Sequence, residues 1–379
     1  MTAKTILILG GYGNTGRPLA HLLLQESDAK VVIAGRNREK AECLAGELAE
    51  VYGEGRVQAV SVDASNLESM LQAFRGIDIV VVASSTTQYT LQVATAALEA
   101  GVDYLDVQYS TQKINTLRSM EMKIRQAGRC FITDGGFHPG LPGLLVRYAS
   151  QSFDTLESAK VGSVIKEDWK KLQVGDETIA ELLALINDFE MLVYKAGKWR
   201  KASMLSSSDY LHMDFGKVFG RQYCFPMMLE EMRTLPDLYP TLTDTGFYVG
   251  SFNWFVDWVI MPIAILFVKL SPQVAAKPMA RWMRWGLNTF SKPPYGTLLR
   301  VEAAGKKEAI PVNVAVTISH TDGYLFTAIP VAACLLQYMD GSIKQPGLWW
   351  QASVVEPERF MVDMHRMGIT VEREGWQKT

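Results

Sequence analysis

Along the first 135 residues the hydrophobic positions alternate between two periods. Ile6, Leu7, Ile8 and Leu9 form an unbroken apolar run, as expected of a central parallel strand covered on both faces. Residues 17–25 (RPLAHLLLQ) then take up a helical period. The alternation continues with strands predicted at Lys30–Ala34, Arg56–Val62, Ile77–Ala83, Val102–Val107 and Cys130–Thr133. Helices are predicted between them at Arg38–Tyr52, Asn66–Phe74, Leu91–Ala100 and Ile114–Ala127. Six strands alternating with helices predict an α/β chain with an N-terminal Rossmann domain, a doubly wound parallel sheet with right-handed crossovers.

Past Gly135 the texture changes. Strands are predicted at Glu157–Ile165, Leu298–Ala304 and Pro311–Ser319, and a helix at Thr178–Phe189. Trp, Met, Phe and Tyr crowd into Tyr223–Tyr295. Helical patterning returns in Thr327–Tyr338 and Glu356–Met367. The expected organisation is a Rossmann domain over 1–134, an inserted α+β substrate domain over 135–326, and C-terminal helices over 327–379 returning to the first domain. The most apolar segment is 252–268. Within it Trp258–Val268 is uncharged, bracketed by Asp257 and Lys269 and interrupted by Pro262. A spanning helix needs about 20 apolar residues, so this one does not cross a membrane by itself. A buried helix, a homodimer interface and a peripheral membrane contact all stay open for it.

The turn after the first strand carries the clearest chemistry. Gly10, Gly11, Tyr12, Gly13, Asn14, Thr15 and Gly16 stand between strand and helix, and Gly11, Gly13 and Gly16 fit G-x-G-x-x-G. The early glycines permit a tight turn and let a pyrophosphate approach the backbone, while Gly16 lets the helix pack close to the strand. An NAD site usually places a carboxylate at the end of the second strand; here Arg36 and Asn37 stand there instead, with Arg38 close by. A guanidinium suits a 2′-phosphate, so NADP(H) is the expected cofactor. By the same strand-end rule Asp63 and Ala64 are expected to flank the adenine, and Ser84, Ser85 and Thr86 the nicotinamide half.

Composition narrows the field. A chain of 379 residues with formal net charge -2 and 21% charged residues is not expected to bind nucleic acid. Four scattered cysteines give neither a disulfide pattern nor a metal motif, so no metal is expected and a cytoplasmic location, membrane-associated at most, is. Met1 leads directly into the first strand, so no signal peptide is expected.

Several stretches resemble the saccharopine dehydrogenase family: LILGGYGNTGRPLA, VVIAGRNREKAECLA, VDYLDV, DGGFHPGLPGLLVR at Asp134–Arg147, and the closing TAIPVAACLLQYMDG with PGLW. The resemblance implies an NADP-binding Rossmann domain joined to a substrate-carrying α+β domain, and hydride transfer between the nicotinamide and a carbon centre. Saccharopine-forming members tend to carry Asp where this chain has His138. The aromatic middle of the chain looks more like members acting on lipid-linked substrates, such as the trans-acting enoyl reductases.

Two residues are candidates for proton transfer. His138 follows the sixth strand between Gly and Pro-Gly, and its unperturbed pKa of about 6.5 suits neutral pH. Tyr109 with Lys113 reads Y-x-x-x-K, but Tyr194 with Lys198 repeats the spacing elsewhere, so Tyr109 is taken as a cleft-lining residue, alongside Asp106 and Gln108. Arg147, Arg221, Arg233 and Arg300 are candidates to hold a substrate carboxylate. The leading expectation is an NADP(H)-dependent oxidoreductase acting on a small hydrophobic, even lipid-linked, substrate. The alternatives are an amino-acid or imine oxidoreductase and a non-catalytic NADP-binding protein.

Overall fold

The computed structural model describes residues 3–172, 190–203, 209–250, 252–270 and 272–375. The helix expected over Thr178–Phe189 lies outside the described residues. The chain divides into two compact units, Met1–Leu144 with Gly323–Ile369, and Leu145–Asp322 with the residues from Thr370 onward.

The first unit is built on a parallel sheet of seven strands among the described residues. Six come in chain order: β1 (Thr5–Leu9), β2 (Lys30–Gly35), β3 (Val57–Ser61), β4 (Ile79–Val82), β5 (Asp103–Asp106) and β6 (Cys130–Thr133). They lie in the order β3–β2–β1–β4–β5–β6, and Gly347–Trp350 adds a seventh beside β6. All pairs are parallel, as the runs of apolar residues require. Ile6, Leu7 and Ile8 of β1 are fully buried. The order reverses between β1 and β4, which makes the carboxyl ends of these two strands the topological switch point.

Local chemistry sets the helix starts. Asn37, Asn66 and Ser110 each accept a hydrogen bond from the backbone N–H three residues on, and so begin the helices Arg38–Tyr52, Leu67–Ala73 and Thr111–Gln126. The C-terminal helix Gly323–Met339 packs on the helix Gly16–Glu26. Its Tyr338 hydroxyl donates to the buried Asp103 Oδ2 at 2.7 Å.

The seventh strand was not expected from the sequence: four residues, GLWW, are too few to show a period. The C-terminal tail also differs from expectation. Thr370–Glu374 is a strand, not part of a helix, and pairs antiparallel with Ile310–His320 in the sheet of the second unit.

That second sheet is mixed. Its order is Leu211–Asp214, Arg221–Met227, Asp244–Gly250, Thr155–Lys166, Gly296–Lys307, Ile310–His320 and Thr370–Glu374. Asp244–Gly250 and Thr155–Lys166 run parallel, and the other neighbours on this path antiparallel. The aromatic segment forms two helices, one through Met261–Leu270 and one over Pro272–Phe290, packed on each other. Val256, Ile260, Ala264, Ala280, Met283 and Leu287 are the buried seam between them. Part of the aromatic richness of 223–295 is therefore consumed within this pair.

Candidate active site

After Leu9 the chain must turn at once to enter the helix at Gly16. Gly10 makes the turn at φ +86°, where a side chain would be strained. Space demands glycine too: a Cβ on Gly10 would stand 2.7 Å from Ser84 Cβ, and one on Gly16 2.3 Å from Gly10 O. The Gly10 and Gly11 amides donate to Ala34 O at 2.8 and 3.1 Å, and Gly13 N donates to Gly10 O at 2.9 Å. Asn14 is exposed on this loop, and Thr15 offers the helix no side-chain cap. With no acid in the first turn, nothing on the helix competes with an incoming phosphate for its positive end. Backbone stripped of Cβ atoms at a helix N-terminus is the cradle a pyrophosphate needs.

Tyr12 ties this loop to the next one. Its ring lies over Gly35, where a Cβ would meet Cε1 at 2.5 Å, and its hydroxyl accepts from Asn37 N at 3.0 Å. Beyond β2 the polar residues divide their work. Asn37 Oδ1 caps the following helix through Lys40 N at 2.9 Å, and Arg38 pairs with Glu42 at 2.7 Å. Arg36 is exposed and enters no ion pair within 4 Å among the described residues, so its fork is available to a 2′-phosphate. Asp63 closes its own turn, accepting from Ser65 N and Oγ at 2.9 and 2.8 Å. Those two bonds, and secondarily the Arg36 charge, hold its pKa below the ordinary value. Ala64 beside it is buried.

At the carboxyl end of β4, Ser84 Oγ and Thr86 Oγ1 lie 3.0 Å apart, and Ser85 is exposed. The ends of β5 and β6 hold a buried charge cluster. Lys113 Nζ lies 2.6 Å from Asp106 Oδ1 and 2.7 Å from Asp134 Oδ1, and also donates to Gln108 O. Burial alone would lower the Lys113 pKa, but the two carboxylates reverse that and raise it. Thr133 Oγ1 donates to Asp106 Oδ2 at 2.9 Å. The ammonium of the Y-x-x-x-K pattern is thus held by two acids. Tyr109 is half-buried. Gln108 Nε2 and Trp350 Nε1 are shielded from solvent and have no hydrogen-bond partner among the described residues. Both stand at strand carboxyl ends, where a ligand acceptor would satisfy them.

His138 rides on the loop after β6. Phe137 stacks on Phe326 at 4.9 Å and on the His138 ring at 5.6 Å. The residue is half-buried with Nε2 shielded from water, and burial pushes its imidazole down to about 4. Against the unperturbed value of 6.5, this leaves the ring uncharged at neutral pH. The loop is gripped by Gln351, which sequence reasoning missed. Its Oε1 accepts from Gly136 N at 3.2 Å and its Nε2 donates to Gly136 O at 3.1 Å. Gly347–Trp350 runs parallel to β6 with Trp350 opposite Thr133, so the next residue leaves at the same end as Asp134. Gly140, at φ +117°, has no room for a Cβ, which would stand 2.4 Å from Gly136 O.

The arginines singled out for a carboxylate are already engaged in several cases. Arg300 pairs with Glu374 at 2.7 Å, Arg233 with Glu230 at 2.9 Å, and Arg221 with Asp214 at 3.7 Å. Arg147 lies in the helix Pro142–Ser150. Among the described residues no group of three or more His, Cys, Asp or Glu could hold a metal ion.

Comparison with known proteins bears on the same elements. Residues 6–132 match the family described as the saccharopine dehydrogenase NADP binding domain. Over 97% of this chain and 95% of the relative, the sequence is 23% identical to carboxynorspermidine synthase of Vibrio cholerae. Carboxyaminopropylagmatine dehydrogenase of Synechocystis is 29% identical over 65% of this chain and 62% of its own length. Among solved structures, the L-Glu-forming saccharopine dehydrogenase of Saccharomyces cerevisiae superposes with a TM-score of 0.69 at 17% identity, covering 98% of this chain and 99% of that one.

Proposed function

We propose, for a chain that is an oxidoreductase of the saccharopine dehydrogenase-like NADP-binding family, that hydride transfer takes place at a carbon–nitrogen bond, between an imine and an amine. Bound NADPH supplies the hydride, held at its phosphates by the glycine loop 10–16 and at its 2′-phosphate by Arg36. The observation that carries the reading is the buried cluster of Lys113, Asp106 and Asp134. Its formal charges sum to minus one, and it lies at the carboxyl ends of β5 and β6, where ligands of such sheets bind. A fixed net negative charge out of water favours a cation nearby, and a protonated imine or an ammonium is one.

His138 points the same way. A ketone or enoyl group needs a proton from the protein as hydride arrives, and a ring held neutral is a poor source. A protonated imine brings its proton with it. Two relatives with names for carboxylated amines, carboxynorspermidine synthase and carboxyaminopropylagmatine dehydrogenase, support this reading over a hydrophobic substrate.

The test gives the protein NADPH with an aldehyde alone, with an aldehyde plus a primary amine, and with an enoyl thioester. The expected result is NADPH consumption only when aldehyde and amine are both present, with a secondary amine found by mass spectrometry. Equal turnover of the aldehyde without amine, or of the enoyl compound, would sink the reading.

A further inference from the structure

The paired helices of the second unit bury one seam and, among the described side chains, expose three tryptophans away from it. Gly286 has no room for a side chain in this seam: a Cβ would stand 2.5 Å from Ile260 Cδ1. Away from that seam Trp254 is 62% exposed, Trp258 69% and Trp285 50%. Ring contacts join Trp254 and Trp285 through two phenylalanines: Trp254 with Phe290 at 5.5 Å, and Trp285 with Phe255 and Phe290 at 5.6 Å each. Trp258 lies one turn beyond Trp254, and Phe267 is half-exposed further along the same helix. Exposed tryptophans in one connected patch are costly unless something covers them.

Charge decides between the candidates for that cover. Residues 252–290 contain Lys269, Lys277, Arg281 and Arg284 but only one acid, Asp257, in a chain of formal net charge -2. That acid is turned inward on its own segment, with Oδ1 accepting from Phe252 N at 3.1 Å. Arg281 is exposed one turn from Trp285 on the same helix. A twofold dimer through this patch would bring the exposed Arg281 of each copy toward like charge. An anionic lipid surface offers the opposite sign. Indole rings, apolar with one N–H, settle at the headgroup boundary. Among the described residues no helix is long and apolar enough to cross a membrane, so the geometry is that of an element lying on the surface.

A cleft of about 310 Å³ opens at the edge of the patch, lined among others by Trp254, Phe290, Lys166 and Lys292. Glu167 lines it too, half-buried and accepting from Thr297 Oγ1 at 3.2 Å. We propose that the helical pair 252–290 docks this protein on an anionic lipid surface, with Trp254, Trp258 and Trp285 at headgroup level and Arg281 beside them.

The test is co-sedimentation of the full chain with vesicles of phosphatidylcholine alone and of phosphatidylcholine with phosphatidylglycerol, at low and high salt. Sedimentation with the anionic vesicles is expected, weakened by salt. Arg281→Ala should reduce it about fivefold, and Trp258→Glu by about tenfold or more. Both positions are exposed, so both variants should melt as the wild type does and keep its NADPH affinity. Failure to bind anionic vesicles, equal binding to the neutral ones, or undiminished binding by both variants overturns the proposal. So does a mass that rises with concentration in the wild type and falls in Trp258→Glu without vesicle binding, which assigns the patch to self-association.

Discussion

The loop after β1 and the loop after β6 leave the same sheet at the same end, yet they are held by different means. The first is held by its own backbone. Gly10 turns at positive φ, Gly16 lies against Gly10 O, and the Gly10 and Gly11 amides donate to Ala34 on the neighbouring strand. The second is held by side chains from far along the chain. Gln351 grips Gly136 on both its N–H and its C=O, Phe326 stacks on Phe137, and Lys113 anchors Asp134 where the loop begins. A loop fixed by backbone leaves its outer face bare for a ligand's phosphates. A loop fixed by side chains can place particular groups, here His138 and the charge cluster, with respect to a reacting centre.

Lys113→Met should show this dependence most strongly. Removing the ammonium leaves two carboxylates buried beside each other with no cation between them. Losing one partner of a buried ion pair costs about 3–5 kcal/mol. Denaturant unfolding should register a loss of that size. A loss under about 1 kcal/mol would mean that water already reaches the cluster. The pH dependence has a definite sign: the folded Lys113 titrates above its ordinary value of 10.5, so its stabilisation is complete below that value. It is lost only as alkaline pH rises through the folded pKa.

Next in size is Gln351→Leu. It strands a buried N–H and a buried C=O on Gly136, each costing about 1–3 kcal/mol, so roughly 2–6 kcal/mol of stability should go. The comparison sharpens in the ligand data. Among the described residues no hydrogen bond joins the glycine loop to Gln351, so the NADPH Kd should hold while kcat falls. Gln351→Glu keeps the acceptor for Gly136 N and should recover part of kcat. Equal losses in Kd and kcat would mean that the two loops are not held separately.

How legible each loop was follows from how it is held. A glycine spacing between an apolar run and a helical period is local, so 10–16, Arg36 and the six strands could be read from neighbours in sequence. Gln351 is more than two hundred residues from Gly136 in the chain and looks like any polar residue after a short strand. The only signal for its place was the four-residue strand before it, and GLWW carries no period to read. Lys113 stands at Y-x-x-x-K spacing from Tyr109, a local pattern, while its ion pairs are to Asp106 and Asp134, the second of them 21 residues away. In the second unit the long strands were visible. Arg221–Met227 and Asp244–Gly250 lie in or at the edge of the aromatic stretch, where apolar residues occur on every register, and Leu211–Asp214 is too short to show a period.

At the backbone-held loop, recognition should separate cleanly from folding. Arg36→Ala removes an exposed guanidinium and no packing. NADPH affinity should fall by roughly 10- to 150-fold, which corresponds to about 1.5–3 kcal/mol for one charge-assisted contact, with NADH affinity and the melting temperature unchanged. Equal weakening of both cofactors would show that Arg36 does not discriminate between them.

At neutral pH the smallest effect is that of His138, which separates the loops by pH. His138 is held near 4 in the fold, against 6.5 as its ordinary value, because burial disfavours the imidazolium. An unfolded chain therefore takes up a proton between those two values that the folded chain refuses. The stability His138 allows is full above 6.5, declines as the pH falls toward about 4, and levels off below it. His138→Gln should flatten this decline in denaturation midpoints. Some slope will persist, since burial and then Arg17 lower His21 in the same direction, next to the backbone-held loop. Kinetics provides the second arm. With the ring neutral throughout, turnover should show no limb near 6.5 that the His138→Gln variant removes. Such a limb, present in the wild type and absent from the variant, would mean that the ring does charge in the working enzyme, and would return His138 to the role of proton donor.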